Sequence, residues 1–285
     1  MRRRSHGIPG RRARVLPAAV VVALCSALLA GSGDRSFAGQ PPAPDQLRVE
    51  VLGSRPHDVD SFTQGLEISD GVLYEGTGLA GQSFVSATDL TTGDQLTRVD
   101  LPYPLFGEGI ALTRTSLWQL TWQDGIAFER DPETLEEVRT VEYAGEGWGL
   151  CHQATADRLV MSDGSSTLTF RDPVTFEETG SVEVLRAGEP VRNLNELECV
   201  DGEVYANVWQ TDTILRIDPG TGAVTAEIDA AGLLTEEEAL HADVLNGIAK
   251  APEGDTFLVT GKRWPHLFEV RFVPAGTSSY GNDTP

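Results

Sequence analysis

The chain has 285 residues and a formal net charge of −21, with 22 lysines and arginines against 43 aspartates and glutamates. So acidic a balance argues against nucleic acid as a partner, because phosphate binding needs clustered cations. Of the three cysteines, only Cys151 and Cys199 stand clear of the N-terminal segment; two are too few for a disulfide framework, and both are expected to be buried small apolar residues.

In chain order, Arg2, Arg3, Arg4, Arg11, Arg12 and Arg14 run into the uncharged apolar stretch from Val15 to Ala30. This is the layout of a secretory signal peptide, assigned to residues 1–38, and it implies a secreted protein. A lipid anchor on Cys25 is disfavoured because Leu24 before it is not small and the apolar run continues past it. A twin-arginine signal at Arg11-Arg12 is disfavoured by the residues that follow the pair. Removing 1–38 takes away seven arginines and Asp34, leaving 15 basic and 42 acidic residues and a net charge of −27. Such a field either attracts cationic ligands, including the charged N-terminus of a peptide, or simply keeps the surface solvated. The proline-rich residues 39–46 read as a linker. Folding is expected from Leu47, beginning with the alternating strand Arg48 to Leu52.

Two repeated elements organise the rest. Turn-like segments begin at Asp89, Asp131, Asp172 and Asp218, at intervals of 42, 41 and 46 residues. A second element, one polar or aromatic residue followed by an apolar strand, recurs as Gln64-Gly65-Leu66, Glu108-Gly109-Ile110, Trp148-Gly149-Leu150, Asn195-Glu196-Leu197 and Asn246-Gly247-Ile248. Periods of this length belong to propeller blades. Five copies imply an all-β, five-bladed β-propeller over residues 47–275, with residues 276–285 as a tail. The strand Arg48 to Leu52 is expected to pair with Phe268 to Phe272 and close the ring. Thr235 to His241 is the one segment that reads as a short helix. The domain is expected to act as a monomer.

In each blade the first two strands form a hairpin, so residues just before strand one and just after strand two emerge on one face. The leading set holds Phe62 and Gln64, Phe106 and Glu108, Glu146 and Trp148, Asn195 and Glu196, and Asn246; the trailing set holds Trp122, Asp163, Trp209 and Lys262. A pocket lined by tryptophans and holding a few convergent polar groups is the default active-site picture. Taken singly, each member has a plainer reading. Glycine-flanked glutamates are often exposed turn residues, tryptophans at strand ends often pack, Asn195 and Asn246 suit bulges, and Asp163 suits a turn. Recurrence in one register favours the pocket. After residue 38 the only lysines are Lys250 and Lys262, so a lysine at a strand end beside Arg263 suggests that a compact ammonium is needed there.

The chain has no Walker loop, no His-Glu-x-x-His, no Gly-x-Ser-x-Gly elbow and no cysteine cluster. Its five histidines are scattered, with His57 the one that approaches a pocket position. Neither a metal nor another cofactor is expected; carboxylate, amide, ammonium and indole are left to do the chemistry. The ordered segments Phe62-Thr63-Gln64-Gly65-Leu66, Phe106-Gly107-Glu108-Gly109, Leu120-Thr121-Trp122, Glu146-Gly147-Trp148-Gly149-Leu150, Leu194-Asn195-Glu196-Leu197-Glu198, Ala206-Asn207-Val208-Trp209, Leu245-Asn246-Gly247-Ile248-Ala249 and Thr260-Gly261-Lys262-Arg263-Trp264-Pro265 resemble the plant and bacterial type of glutaminyl-peptide cyclotransferase. The resemblance covers about residues 47 to 273. One departure is Ser86, where the family pattern has arginine.

The resemblance implies a metal-independent five-bladed enzyme that closes N-terminal glutamine of peptides or proteins into pyroglutamate, with loss of ammonia. It implies Glu108 as proton shuttle and places Lys262 and Asn195 in the substrate pocket; as an ammonium and an amide, these two suit catalytic donation to the amide oxygen as it gains charge. Phe62, Gln64, Phe106, Trp122, Trp148 and Trp209 would bind the substrate. Two other readings stand beside it. A propeller lactonase-like hydrolase would ligate a divalent cation through Glu108, Asn195 and Asn246, although Lys262 would repel the metal. A non-catalytic propeller would bind a peptide on the same face.

Overall fold

The computed structural model describes residues 43–276. The signal-peptide assignment, the first half of the linker and the tail beyond 276 lie outside the described residues. The first strand is β1 (Asp45–Pro56). It begins inside the segment expected to be linker, because Asp45 and Gln46 find partners in Ala226 and Glu227, far along the chain.

Three antiparallel four-stranded sheets follow in chain order. The first is β2 (Thr63–Ser69), β3 (Val72–Thr77), β4 (Phe84–Asp89) and β5 (Gln95–Asp100). The second is β6 (Gly107–Leu112), β7 (Leu117–Thr121), β8 (Ile126–Arg130) and β9 (Glu137–Glu142). The third is β10 (Leu150–Gln153), β11 (Arg158–Met161), β12 (Thr167–Arg171) and β13 (Glu178–Glu183). A small hairpin of β14 (Leu185–Arg186) and β15 (Glu189–Pro190), absent from the sequence reading, comes next. The remaining strands are β16 (Leu194–Val200), β17 (Glu203–Val208), β18 (Thr213–Ile217), β19 (Val224–Asp229), β20 (Leu245–Lys250), β21 (Phe257–Gly261) and β22 (His266–Pro274). With β1 they make one eight-stranded sheet, ordered β16-β17-β18-β19-β1-β22-β21-β20. The result is an all-β, propeller-like architecture. The helix expected between Thr235 and His241 is the single turn Glu236–Ala239, started by a capping box between Thr235 and Glu238.

The repeats map onto this plan. Asp89, Asp131, Asp172 and Asp218 each accept backbone N–H groups two or three residues ahead through Oδ1, forming side-chain-mediated turns that join β4 to β5, β8 to β9, β12 to β13 and β18 to β19. A fifth copy is missing for a topological reason. The strand beside β22 is β1, which arrives from the other end of the chain, pairing Val49 with Phe272 and Val51 with Val270.

The strands of the second repeated element, β2, β6, β10, β16 and β20, are the innermost, and each touches the next in cyclic order. β6 is buried along nearly its whole length, whereas the outer strands β5, β9 and β13 are mostly exposed and carry charges that discourage edge pairing. Close approach of the inner strands requires glycine. A Cβ at Gly149 would lie 2.0 Å from the Asn195 carbonyl oxygen, and one at Gly109 would lie 2.7 Å from both Leu150 N and Trp148 O. The core fills the spaces between sheets; between the third sheet and β16–β19 it includes Val160, Leu168, Leu197, Val204 and Leu215, all essentially inaccessible. Burial of each such side chain stabilises the fold by roughly 1.5–3 kcal/mol.

The expectation for the cysteines is corrected here. Cys151 on β10 and Cys199 on β16 form a disulfide, with their Cα atoms 5.4 Å apart. The two residues are 48 apart in sequence, one more than the offset between Trp148 and Asn195, so positions one residue out of register on neighbouring inner strands meet. A count of cysteines does not reveal that adjacency; the repeat period does.

Candidate active site

The polar residues of the second repeated element stand where pairing breaks register. The ladder slips between Thr63 and Gly65, between Gly107 and Ile110, between Leu194 and Leu197, and between Leu245 and Ile248. A bulge at each place re-aims one side chain away from the sheet, and those side chains are Gln64, Glu108, Asn195 and Asn246. In the third sheet β10 begins only at Leu150, and Trp148 precedes it, its N–H bonded to Ser162 O at 3.0 Å. The trailing residues Trp122, Trp209 and Lys262 directly follow β7, β17 and β21. After β3 the corresponding residue is Gly78, where a Cβ would lie 2.3 Å from the Phe106 ring; that gap admits the ring.

Together these residues enclose a cavity of about 300 Å³ lined by Phe62, Gln64, Phe106, Glu108, Trp122, Trp148, Asn195, Trp209, Asp243 and Lys262. All nine residues expected at the site are present. Asp243 was not anticipated; it sits in the loop before β20, outside the strict repeat register. A larger open groove of about 930 Å³ lies by Arg55, Asp89, Glu253 and Glu269. It contains none of the site residues and no comparable convergence of buried polar groups, so the smaller cavity is the candidate site.

Two runs of aromatic rings form the walls. Phe62 meets Phe106 edge-on at 6.2 Å, and Phe106 meets Trp122 at 5.5 Å. Trp148 and Trp209 meet edge-on at 5.5 Å. Glu146, anticipated among the leading residues, lies behind the wall, with Oε2 accepting the indole N–H of both Trp122 (2.8 Å) and Trp148 (3.0 Å). The Trp148 N–H, together with Gln123 and Trp122, holds this carboxyl below its usual range.

Glu108 is 4% exposed. Burial pushes its carboxyl well above the usual range, the nearby Lys262 ammonium opposes this, and Glu146 adds to it. Its Oε1 accepts from Gln64 Nε2 at 2.9 Å, and Oε2 has no hydrogen-bond partner among the described residues. Gln64 is in turn oriented by Asn246, whose Nδ2 donates to Gln64 Oε1 at 3.2 Å and to Thr63 O at 3.0 Å. Asn246 is thus one layer behind the pocket wall. Burial lowers the Lys262 ammonium from its ordinary value, with Glu108 and then Asp243 resisting. Its Nζ lies 4.9 Å from the centre of the Phe62 ring, and neither it nor the Asn195 side chain has a hydrogen-bond partner among the described residues. The site therefore offers a proton carrier and two unpaired donors inside an aromatic cage.

Other candidates fall elsewhere. His57 is outside the pocket: its ring nitrogens face Trp264 O at 2.8 Å and Glu75 Oε1 at 3.0 Å. Burial resists protonation, but Glu75, Trp264 O and Asp58 together outweigh it and raise the imidazole above its ordinary value. Asp163 is the turn residue of the plainer reading, accepting from Ser165 N at 2.9 Å. Glu196 is 1% exposed and points between the inner strands, its two oxygens taking Leu66 N (3.3 Å) and Ile248 N (2.9 Å). Ser86 stands opposite Glu75 in the β3–β4 register, and the Glu75 carboxylate is engaged by His57, Ser61 and Thr63 instead.

Comparison with known proteins identifies the family. Residues 19–272 match the family model for glutamine cyclotransferase. A glutaminyl-peptide cyclotransferase of Arabidopsis thaliana is 40% identical over 238 residues, which span 81% of this chain and 73% of the relative. The crystal structure of Myxococcus xanthus glutaminyl cyclase aligns with a TM-score of 0.73 at 39% identity, covering 82% of this chain and all of the other. This chain belongs to the glutamine cyclotransferase family.

Proposed function

We propose that the protein converts N-terminal glutamine of peptides or proteins to pyroglutamate, releasing ammonia, with Glu108 as the proton shuttle. The observation that carries this is the unequal engagement of the Glu108 carboxyl, with one oxygen fixed by Gln64 and the other free in an aromatic cavity beside Lys262. Family membership supports the reaction class and disfavours the lactonase-like and purely binding alternatives.

Cyclisation requires the α-nitrogen to attack the γ-carbonyl carbon of the same residue, and the side-chain nitrogen must leave protonated. The aromatic walls favour a compact substrate conformer, and well-oriented intramolecular reactions gain roughly 7–11 kcal/mol. Glu108 takes the proton from the α-nitrogen as the new C–N bond forms and gives it to the departing nitrogen as the old C–N bond breaks. The proton count is unchanged, so the shuttle ends as a carboxylate. Desolvation serves this role by moving the carboxyl toward neutral pH, where acceptance and donation are both efficient. Lys262 Nζ and the Asn195 amide donate to the oxygen as it gains charge. No step needs a metal, and all nine residues come from one chain, so a monomer suffices.

The fold reading that accompanies this is a five-bladed ring, in which the eight-stranded sheet comprises two four-stranded blades joined edge to edge by the parallel β1–β19 contact. The cyclic order of the inner strands supports it. Secretion, with residues 1–38 as signal peptide, is supported by the Cys151–Cys199 bond, since disulfides persist in oxidising compartments.

The test is incubation of the protein with a dipeptide that begins with glutamine. Ammonia and pyroglutamyl product are expected in equal amounts, with no metal added. Folded protein that releases no ammonia from any glutaminyl peptide would overturn the reading.

A further inference from the structure

The two aromatic runs of the pocket, Phe62-Phe106-Trp122 and Trp148-Trp209, are not joined by a ring contact among the described residues. They are joined through Glu146. Its Oε2 accepts both indole N–H groups, from Trp122 at 2.8 Å and Trp148 at 3.0 Å, and its Oε1 accepts from Gln123 Nε2 at 2.9 Å. Resting on the cyclotransferase reading, we propose that Glu146 is a positioning residue whose single carboxylate fastens the Trp122 and Trp148 indoles together and so sets the width of the substrate cage.

The physical need is plain at Trp122, which is 36% exposed at the mouth. A half-exposed indole on a strand end retains rotamer freedom, and substrate binding would have to remove it. A charged acceptor shared by two indoles removes that freedom before the substrate arrives, which strengthens binding without any contact to the reacting atoms. Three donors around one carboxylate also keep it ionised. Its negative charge then acts on Glu108 across the pocket, in the direction that favours the protonated shuttle. Glu146 therefore has two separable properties: acceptor geometry, which governs the wall, and charge, which governs the shuttle.

Two substitutions separate them. Glu146→Gln keeps one carbonyl acceptor and loses the charge, whereas Glu146→Leu loses both. Steady-state kinetics on a glutaminyl dipeptide across pH and the indole fluorescence of the substrate-free protein are measured for wild type and both variants. Glu146→Leu is expected to raise KM about tenfold, as expected for lost hydrogen bonds to a charged group, with a smaller change in kcat and an altered emission. Glu146→Gln is expected to recover most of the KM, while both variants move the acid limb of the kcat profile to lower pH. Wild-type KM and wild-type emission in Glu146→Leu would overturn the proposal. Absence of ammonia release by the wild type would instead strike the cyclotransferase reading, and the emission comparison would still decide the clamp.

Discussion

Glu108 and Glu196 stand one position apart in the repeat register, since Glu108 aligns with Asn195 and Gly109 with Glu196. Both are nearly inaccessible, and burial pushes both carboxyls well above their usual range. They differ in what holds them. Both oxygens of Glu196 are taken by backbone N–H groups of β2 and β20, so it ties inner strands together. Glu108 has one oxygen held by a side chain and the other without a partner among the described residues. Burial and a raised pKa thus do not by themselves distinguish the two carboxyls; the proposed shuttle role of Glu108 rests on its unused hydrogen-bonding capacity.

The widest separation should appear in turnover. Glu108→Gln preserves size and the contact to Gln64 but carries no proton, so turnover should fall by about 10² to 10⁴ with the fold intact by circular dichroism. Glu196→Gln should keep turnover per folded molecule within about threefold. It should lower stability by about 1–3 kcal/mol in denaturant unfolding, because one backbone N–H would face an amide NH₂. Equal turnover losses in the two variants would break the distinction.

A second contrast concerns what joins the sheets beneath the pocket. The Cys151–Cys199 bond links the inner strand behind Trp148 to the one bearing Asn195. Cys151→Ser with Cys199→Ser should cost roughly 2–4 kcal/mol of stability. The same loss on reduction of the wild type, followed by its denaturant midpoint, would locate the effect in the bond and not in the serine packing.

The buried carboxyls also predict how stability varies with pH. Glu67, Glu108 and Glu196 are raised mainly by burial, and Glu198 is raised to about 7. A carboxyl whose folded pKa is raised contributes most below its unfolded value near 4.5, and the contribution is lost as pH climbs toward the folded value. His57, also raised, acts in the same sense above its unfolded value of about 6.5. The turn aspartates Asp89, Asp131 and Asp172 are lowered by backbone N–H donors, so their contribution disappears as pH falls through the acid range. The melting temperature should therefore peak near about pH 5 and decline toward pH 8. A steady rise from pH 5 to 8 would show that the inner carboxyls are ionised without penalty.

Much of this was legible in the sequence, for one reason. A repeat fixes relative position without any knowledge of contacts, so leading and trailing residues of five hairpins gather wherever the repeats gather. That register brought Glu108, Lys262, Asn195 and the aromatic wall together. What departs from the register was illegible. Asp243 enters from an irregular loop, β14 and β15 are too short to carry a pattern, and Asp45 and Gln46 become strand only because β19 offers them a partner. The roles of Asn246 and Glu146 depend on side-chain hydrogen bonds across sheets, which no spacing encodes. The disulfide was within reach of the same repeat logic, because its two cysteines lie within one residue of a period apart.

The most direct test of the shuttle is the pH dependence of kcat on a glutaminyl dipeptide in wild type and Glu108→Gln. The reactive complex pairs a neutral α-amine with the Glu108 carboxylate, and the proton passed to the leaving nitrogen comes from the α-nitrogen itself. Excess protons at low pH occupy the base and the nucleophile, so the wild-type kcat should fall on the acid side. That acid limb belongs to the α-amine and Glu108 together in the wild type, and in the residual activity of Glu108→Gln it should shift to the position set by the α-amine alone. An acid limb that persists unchanged in the variant would contradict the account, because another group would then be carrying the proton.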